Sequence, residues 1–336
     1  MESERALERM PRPELVHLEA MLGPDARLCR RALTGETGVA LPPFTDHHVH
    51  LHLIDERALA AHGIAGVVDL GGDPESFARR PAAGFPHVRY AGAFLTAPGG
   101  YPVGRSWAPA TITREVRSAS RGPGDHAVAA TAVDEQAECG ASVIKVALNA
   151  DAGPVFDAEV LGAIVAAAAA RGLPVVAHAQ GAGMVESSLD AGVAALAHTA
   201  FTTELPDPVI ERAARSQAWI STLAIHRGRA HDAAVDNLRR FAAAGGRVLY
   251  GTDLGNGDLP VGVNADELAG LHSAGVRGGA LVAALTDPWP GADPGVDAGA
   301  VGTFIAGDPP SAVDDLARWL AGATVVTAEE LVHDDG

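Results

Sequence analysis

A chain of 336 residues with 47% hydrophobic content can build one sizeable core, and 20% charge without long biased tracts excludes a disordered chain. Its 25 Lys and Arg against 42 Asp and Glu leave a formal charge of −17, which repels nucleic-acid phosphates and anionic membrane surfaces. Two cysteines, Cys29 and Cys139, make no disulfide framework and have no Cys or His neighbour at zinc-knuckle spacing, so they read as buried or incidental thiols.

The start, Met1-Glu2-Ser3-Glu4-Arg5, has neither a basic nor an apolar signal region, and the apolar stretch Val160 to Ala170 is too short to cross a bilayer. The expectation is a cytoplasmic protein that acts on a small molecule, without nucleic acid or membrane; a homo-oligomer stays open.

In chain order, Glu14 to Leu22 reads as a short helix and Val39 to Leu41 as a strand, with Pro42-Pro43 setting an extended entry to the next segment. From Phe44 short apolar runs alternate with helical segments. The predicted strands are Phe44–His50, Ala65–Leu70, Val88–Leu95, Ser142–Leu148, Pro174–His178, Ala194–His198, Trp219–Ala224 and Arg247–Asp253. The predicted helices include Pro74–Arg80, Phe156–Arg171, Pro206–Gln217, Ala233–Ala244 and Asn264–Ala274. The strands are rich in Val, Ile and Leu and bounded by Gly, Pro or Asp, as parallel strands buried on both faces are. Eight of them with intervening helices predict an α/β fold, a (β/α)8 TIM-like barrel. Its expected bounds are residues 44–290. The long loop Thr96–Thr111 is punctuated by Pro and Gly before Arg105, and such loops carry function. Asp287 to Gly302 reads as a linker. Phe304–Ala306, a helix at Ala312–Leu320 and Thr324–Val326 form a tail.

The polar residues fall on the strand ends. Side chains two apart on a strand share a face, so His48 and His50 of Asp46-His47-His48-Val49-His50 can reach one cation, and imidazole suits zinc and related metals. Alone this pair is a weak signal. His47 should point the other way, and His52 lies just past the strand. Lys145 sits inside the apolar strand Val143-Ile144-Lys145-Val146-Ala147. It either snorkels, pairs with an acid, or has added carbon dioxide to form a carbamate, which a depressed amine pKa favours. His178 and His198 are lone histidines on apolar strands, each of which alone reads as a satisfied core residue. Asp253 after Gly251-Thr252 alone reads as a helix cap. Together, four His, one Lys and one Asp fall at the C-terminal ends of strands one, four, five, six and eight, where the active groups of such barrels gather.

Asp46-x-His48-x-His50, Ile144-Lys145, Val176-Ala177-His178-Ala179, His198 and Gly251-Thr252-Asp253 resemble the amidohydrolase superfamily, over the chain from about Phe44 onward. The lysine on strand four is similar to that of the binuclear subgroup. Pro98-Gly99-Gly100 and Ala177-His178-Ala179-Gln180-Gly181 look like the prolidase/imidazolonepropionase branch. The resemblance implies two divalent metal ions, zinc by expectation. His48, His50 and Asp253 would hold the buried one, and His178 and His198 the more exposed one. Carboxylated Lys145 and a hydroxide would bridge them, with Asp253 as general base and then acid. The implied reaction is hydrolysis of an amide C–N bond in a dipeptide, an N-acyl amino acid or a cyclic amide. A lactone or phosphotriester hydrolase would use the same site. A deaminase fits less well, because Ala179-Gln180-Gly181 follows His178 where those relatives carry a His-x-x-Glu pair, and a non-catalytic barrel would have lost ligands.

Two departures stand out. Such relatives begin with strands of a small β-sandwich, and residues 1–43 do not read that way, although the tail Val301–Val332 resembles the other half. The expected accessory domain is therefore a reduced sandwich built from 1–43 and 291–336. Tyr101 stands where this branch often has His after Gly-Gly; it can donate to an oxyanion or simply pack in the loop. Candidate substrate contacts are Tyr101, Arg105, Asn149, His226 and Arg227, the arginines as carboxylate binders. With 4% aromatic residues, no large planar-ligand platform is expected.

Overall fold

The computed structural model describes residues 13–81, 84–117, 124–291 and 300–333. Helix α1 (Pro13–Leu22) leads into β1 (Arg27–Arg31), β2 (Thr37–Leu41), β3 (Thr45–Val49) and β4 (Gly66–Asp69). After α2 (Pro74–Ala78) come β5 (His87–Tyr90), β6 (Phe94–Thr96) and β7 (Thr113–Glu115). Strands and helices then alternate through α3 (Gly124–Glu138), β8 (Ile144–Asn149), α4 (Ala158–Ala170), β9 (Val175–Gln180), α5 (Met184–Ala191) and β10 (Ala195–Leu196). They continue as α6 (Asp207–Ser216), β11 (Ala218–Ile220), α7 (Gly228–Ala243), β12 (Arg247–Leu249), α8 (Ala265–Ser273) and α9 (Gly279–Thr286). The chain closes with β13 (Val301–Ala306), α10 (Leu316–Leu320), β14 (Thr324–Thr327) and β15 (Leu331–His333).

The central strands form two parallel sheets, in the orders β12-β11-β10-β9-β8-β6-β7 and β3-β4-β5. On one side, Val49 bridges Leu254 in parallel and the His47 N–H donates to the Tyr250 carbonyl at 3.0 Å. On the other, the Ser142 N–H donates to the Tyr90 carbonyl at 2.9 Å, setting β5 beside the start of β8. β8 and β9 are buried almost throughout, as their Val- and Ala-rich runs require of strands covered by helices on one side and core on the other.

All eight expected strands are present, most of them shorter. Val88–Leu95 is split into β5 and β6. Gly92 takes φ +73° there, a Cβ would collide with the Gln136 amide, and the Gln136 Oε1 accepts from the Ala93 N–H at 2.8 Å in place of a neighbouring strand. β11 stops at Ile220 because Thr222 turns left-handed at φ +44°, and β12 stops at Leu249, after which Tyr250 N–H donates to Ala284 in α9. Helix α3 went unpredicted: its buried stripe, Ala129, Ala132, Val133 and Gln136, is mostly alanine and amide and shows little periodic contrast.

The chain ends meet in one antiparallel sheet, ordered β14-β13-β2-β1-β15. Residues 1–43, which did not read as the opening strands of a small β-sandwich, supply β1 and β2, and β2 contains the expected strand Val39–Leu41. Charges hid β1, because Arg27, Arg30 and Arg31 flank a buried Cys29. Among the described residues this layer is a single five-stranded sheet, with no second facing sheet. The expected helix Ala312–Leu320 is α-helical only from Leu316, after a single tight turn at Val313–Asp315. Of the expected linker, residues 292–299 lie outside the described residues.

Candidate metal centre

All six predicted ligands, His48, His50, Lys145, His178, His198 and Asp253, line one cavity of about 410 Å³. His48 and His50 come from the end of β3, His178 from within β9, His198 from just past β10 and Asp253 from the turn after β12; Lys145, expected at the C-terminal end of its strand, is instead the second residue of β8. Ring centroids lie 5.3 Å apart for His48 and His50, 4.7 Å for His48 and His198, and 4.9 Å for His178 and His198.

His47 points away, as alternation along the strand requires. Its Nδ1 lies 2.7 Å from the Tyr250 carbonyl and its Nε2 2.9 Å from that of Asp287. His52 is exposed, with its Nε2 3.4 Å from the Trp107 carbonyl, and does not line the cavity.

His48, His50 and Asp253 draw tightest: each offers a ligand atom within 4.8 Å of the others, a group able to hold a metal ion. The chemistry of the donors fits a cation. The His48 Nδ1–H donates to the Ala197 carbonyl at 2.7 Å, so its Nε2 carries a lone pair. That Nε2 is buried, has no hydrogen-bond partner, and faces Asp253 Oδ1 at 3.1 Å. Two lone pairs so close repel unless a positive charge lies between them. Burial, with the nearby Lys145 amine, holds the His48 imidazole well below its usual pKa, so a proton is a poor occupant and a metal ion a good one. His50 Nε2 lies 3.3 Å from the same oxygen, and its Nδ1 lies 3.2 Å from the Gly71 carbonyl. Burial opposes ionisation of Asp253, yet His48, His50 and His198 around it hold the carboxyl well below the usual carboxylate range. Asn256 Nδ2 donates to its other oxygen at 2.8 Å, and the residue takes φ +57° to turn its carboxylate inward.

Two buried acids brace these segments. Asp46 Oδ1 accepts from the His48 and Thr252 N–H groups, each at 3.1 Å, and its Oδ2 from the Thr252 hydroxyl at 2.6 Å, tying the His48 strand to the Asp253 turn. Burial pushes its carboxyl up to about 7. Asp69 accepts from the Leu51 and Gly71 N–H groups at 2.7 and 2.9 Å and steadies the His50 end.

His198 Nδ1 lies 2.9 Å from the Thr222 hydroxyl. His178 Nε2 lies 3.2 Å from Gln180 Oε1, two residues along on the same face of β9. Lys145 is 1% exposed, with its Nζ 5.6 Å from the centre of the Phe94 ring. Burial pushes its amine down to about 7, which leaves a large neutral fraction at neutral pH.

The predicted substrate contacts divide. Tyr101 and His226 line the cavity. Tyr101 stacks on His178 with centroids 5.0 Å apart, and burial raises its phenol to about 12, so it keeps its proton. Burial lowers the His226 imidazole to about 4. Arg105, Asn149 and Arg227 do not line the cavity. Arg105 is exposed, its guanidinium 5.9 Å from the outer Tyr101 ring. Arg227 is spent on the Ala224 and His226 carbonyls. Asn149 is buried, with its Nδ2 donating to Gln180 Oε1 at 2.9 Å.

No protein-family model matches this chain, and a search of curated proteins finds no match. Solved structures do match. A Xaa-Pro dipeptidase with methionine bound in its active site superposes with a TM-score of 0.66 at 16% identity, over 88% of this chain and 86% of that one. Ochratoxinase of A. niger gives 0.67 at 19%, over 88% and 84%, and an amidohydrolase 0.65 at 22%, over 88% and 87%. The fold is that of the prolidase-like amidohydrolases. In that fold a TIM barrel is accompanied by an extra domain; here the parallel strands are accompanied by a five-stranded antiparallel sheet.

Several cavity residues escaped the sequence reading. Gln180 had a usable signal, since it follows His178 at strand spacing. Trp107 and Phe201 sit in loops, where spacing does not give direction, and Asn256 follows Asp253 in a turn.

Proposed function

We infer that the chain is a metal-dependent amidohydrolase that cleaves an amide C–N bond, in a closed (β/α)8 barrel of residues 44–290 flanked by an accessory domain from 1–43 and 291–336. The observation that carries this is the unpartnered His48 Nε2 facing Asp253 at the floor of a cavity shared with Lys145, His178 and His198. Bond class is supported by the names of proteins with this fold, a Xaa-Pro dipeptidase and an amidohydrolase.

His48, His50 and Asp253 would hold one divalent ion and His178 and His198 a second, with Lys145 between them and zinc the expected metal. When bound, such a pair supplies Lewis acidity and a water acidified toward neutral pH. The protein's own groups do the rest. The neutral Lys145 amine could add carbon dioxide and shed a proton, giving a carbamate that would help hold the ions. Asp253, buried and ionised, accepts the proton of the attacking water and returns it to the departing amine nitrogen. Tyr101 keeps its hydroxyl proton and can donate it to the substrate carbonyl oxygen as negative charge develops there. Phe94 and Trp107 line the same cavity.

The test is metal analysis of protein purified without chelator, followed by a turnover screen over N-acyl amino acids, dipeptides, cyclic amides, lactones and phosphotriesters. Bound divalent metal and chelator-sensitive amide cleavage are expected. A protein that holds no metal and gains no turnover on added zinc would overturn the assignment, and cleavage confined to lactones or phosphotriesters would move it to that bond class.

A further inference from the structure

We propose that the cavity selects neutral amides bearing an aromatic group, in preference to amides bearing a free carboxylate; this rests on the amide-hydrolase reading of the site.

The chain has 15 aromatic residues, from 4 Trp, 3 Tyr and 8 Phe. Four of them, Phe94, Tyr101, Trp107 and Phe201, line this one cavity. A sequence poor in aromatics thus gathers them at its candidate reaction centre. Trp107 is the hub of one wall, with its ring centroid 6.1 Å from Phe94, 6.0 Å from Tyr101 and 6.1 Å from His50. Phe201 forms another, stacked on His226 at 4.1 Å and 6.0 Å from His198. Tyr101, Trp107 and Phe201 each remain only partly buried, which leaves ring surface for a ligand to cover. Ring surfaces in such tilted and offset arrangements suit an aryl group, which gains from stacking beyond simple burial. At about 410 Å³ the cavity lies at the small end for ligand sites, so one aryl group and the reacting amide would occupy most of it.

Charge points the same way. Among the described residues, no arginine lines the cavity. Arg105 lies outside the Tyr101 ring, and Arg227 is committed to backbone carbonyls. Lys145 Nζ lies 5.6 Å from the centre of the Phe94 ring, but on the amide-hydrolase reading it is carboxylated and offers no positive charge to a substrate. A carboxylate seated on the aromatic rings, rather than at the metal site, would therefore lose its water without an arginine or lysine cation in return. The chain's formal charge of −17 also slows the approach of an anion.

The experiment uses the full-length, zinc-loaded protein and four probes: N-benzoylglycinamide, N-benzoylglycine, and the two N-acetyl counterparts. Both kcat/KM and equilibrium dissociation constants by calorimetry are measured. The expected result is at least about tenfold preference for benzoyl over acetyl and for carboxamide over carboxylate, in either measurement. Phe201→Ala and Trp107→Ala should shrink the benzoyl preference at unchanged zinc content; if either fails to fold, the four-probe series on the unaltered protein decides. Equal or better handling of the carboxylates, no benzoyl preference, or an Arg105→Ala loss confined to carboxylates would overturn the proposal. Binding preferences as expected with no turnover would sink the hydrolase reading and leave this one standing. Turnover with reversed preferences would do the opposite.

Discussion

The orientation of His178 rests on Gln180, and removing that residue's amide should weaken metal binding from one hydrogen bond away. His178 Nε2 lies 3.2 Å from Gln180 Oε1 and 3.2 Å from Asn149 Nδ2. Only one of these contacts can be a hydrogen bond in a given tautomer. With the proton on Nε2, the ring donates to Gln180 Oε1, which also accepts from Asn149 Nδ2 at 2.9 Å, and Nδ1 keeps the lone pair a cation needs. With Gln180→Leu the acceptor is gone. Asn149 Nδ2 then donates to Nε2, and the proton moves to Nδ1, where it competes with the metal. Loss of such an outer partner lowers metal affinity by about 10–100-fold, equivalent to roughly 1.4–2.7 kcal/mol. Gln180→Glu keeps an acceptor and should retain most of the affinity. Competition with a coloured chelator measures zinc affinity, and nitrogen-15 spectra of the histidine rings in metal-free protein read the tautomer directly. A Gln180→Leu protein with unaltered affinity and an Nε2 proton still in place would refute the reasoning. It would also reopen Asn149, expected as a substrate contact, as nothing more than a buried packing residue.

The remaining predictions concern groups nearer the reaction. Lys145→Ala should abolish turnover and drop the metal content to about one equivalent or fewer, with partial recovery in short carboxylic acids; full metal content and turnover by plasma emission and steady-state assay would remove the carbamate. Asp253→Asn should leave the circular dichroism spectrum unchanged and cut kcat by about 10²–10⁴; near-normal kcat would place the proton acceptor elsewhere. His52→Ala should alter metal content and activity little, because the side chain is exposed and its one polar contact is the 3.4 Å approach to Trp107; metal loss there, with His50→Ala tolerated, would mean that the wrong histidine had been paired with His48.

The strand-borne half of the site was legible in the sequence because a strand dictates direction. Once Thr45–Val49 is a strand, His48 and His50 face one way and His47 the other, and the structure has them so. His178 and Lys145 lie within the buried parallel strands β9 and β8, Lys145 near the start of its strand, and His198 lies just past β10. The reading weakened wherever direction depends on packing. In the Thr96–Thr111 loop, Tyr101 and Arg105 looked equally able to meet a substrate, yet only Tyr101 turns in, and Arg105 covers its outer face. Arg227 comes directly after cavity-lining His226 but caps backbone carbonyls, because it stands where α7 begins. At the start of the chain, β1 is a strand because β2 and β15 flank it, and β15 lies some 300 residues further along, beyond the reach of any local pattern. The contrast has a chemical consequence. The candidate metal-site groups come from strands, their ends and the turn after β12, whereas three of the four aromatic rings in the cavity, Tyr101, Trp107 and Phe201, come from loops. Substituting Trp107 or Phe201 should therefore change which amide is cleaved, while substituting His178 or Asp253 should change whether any is.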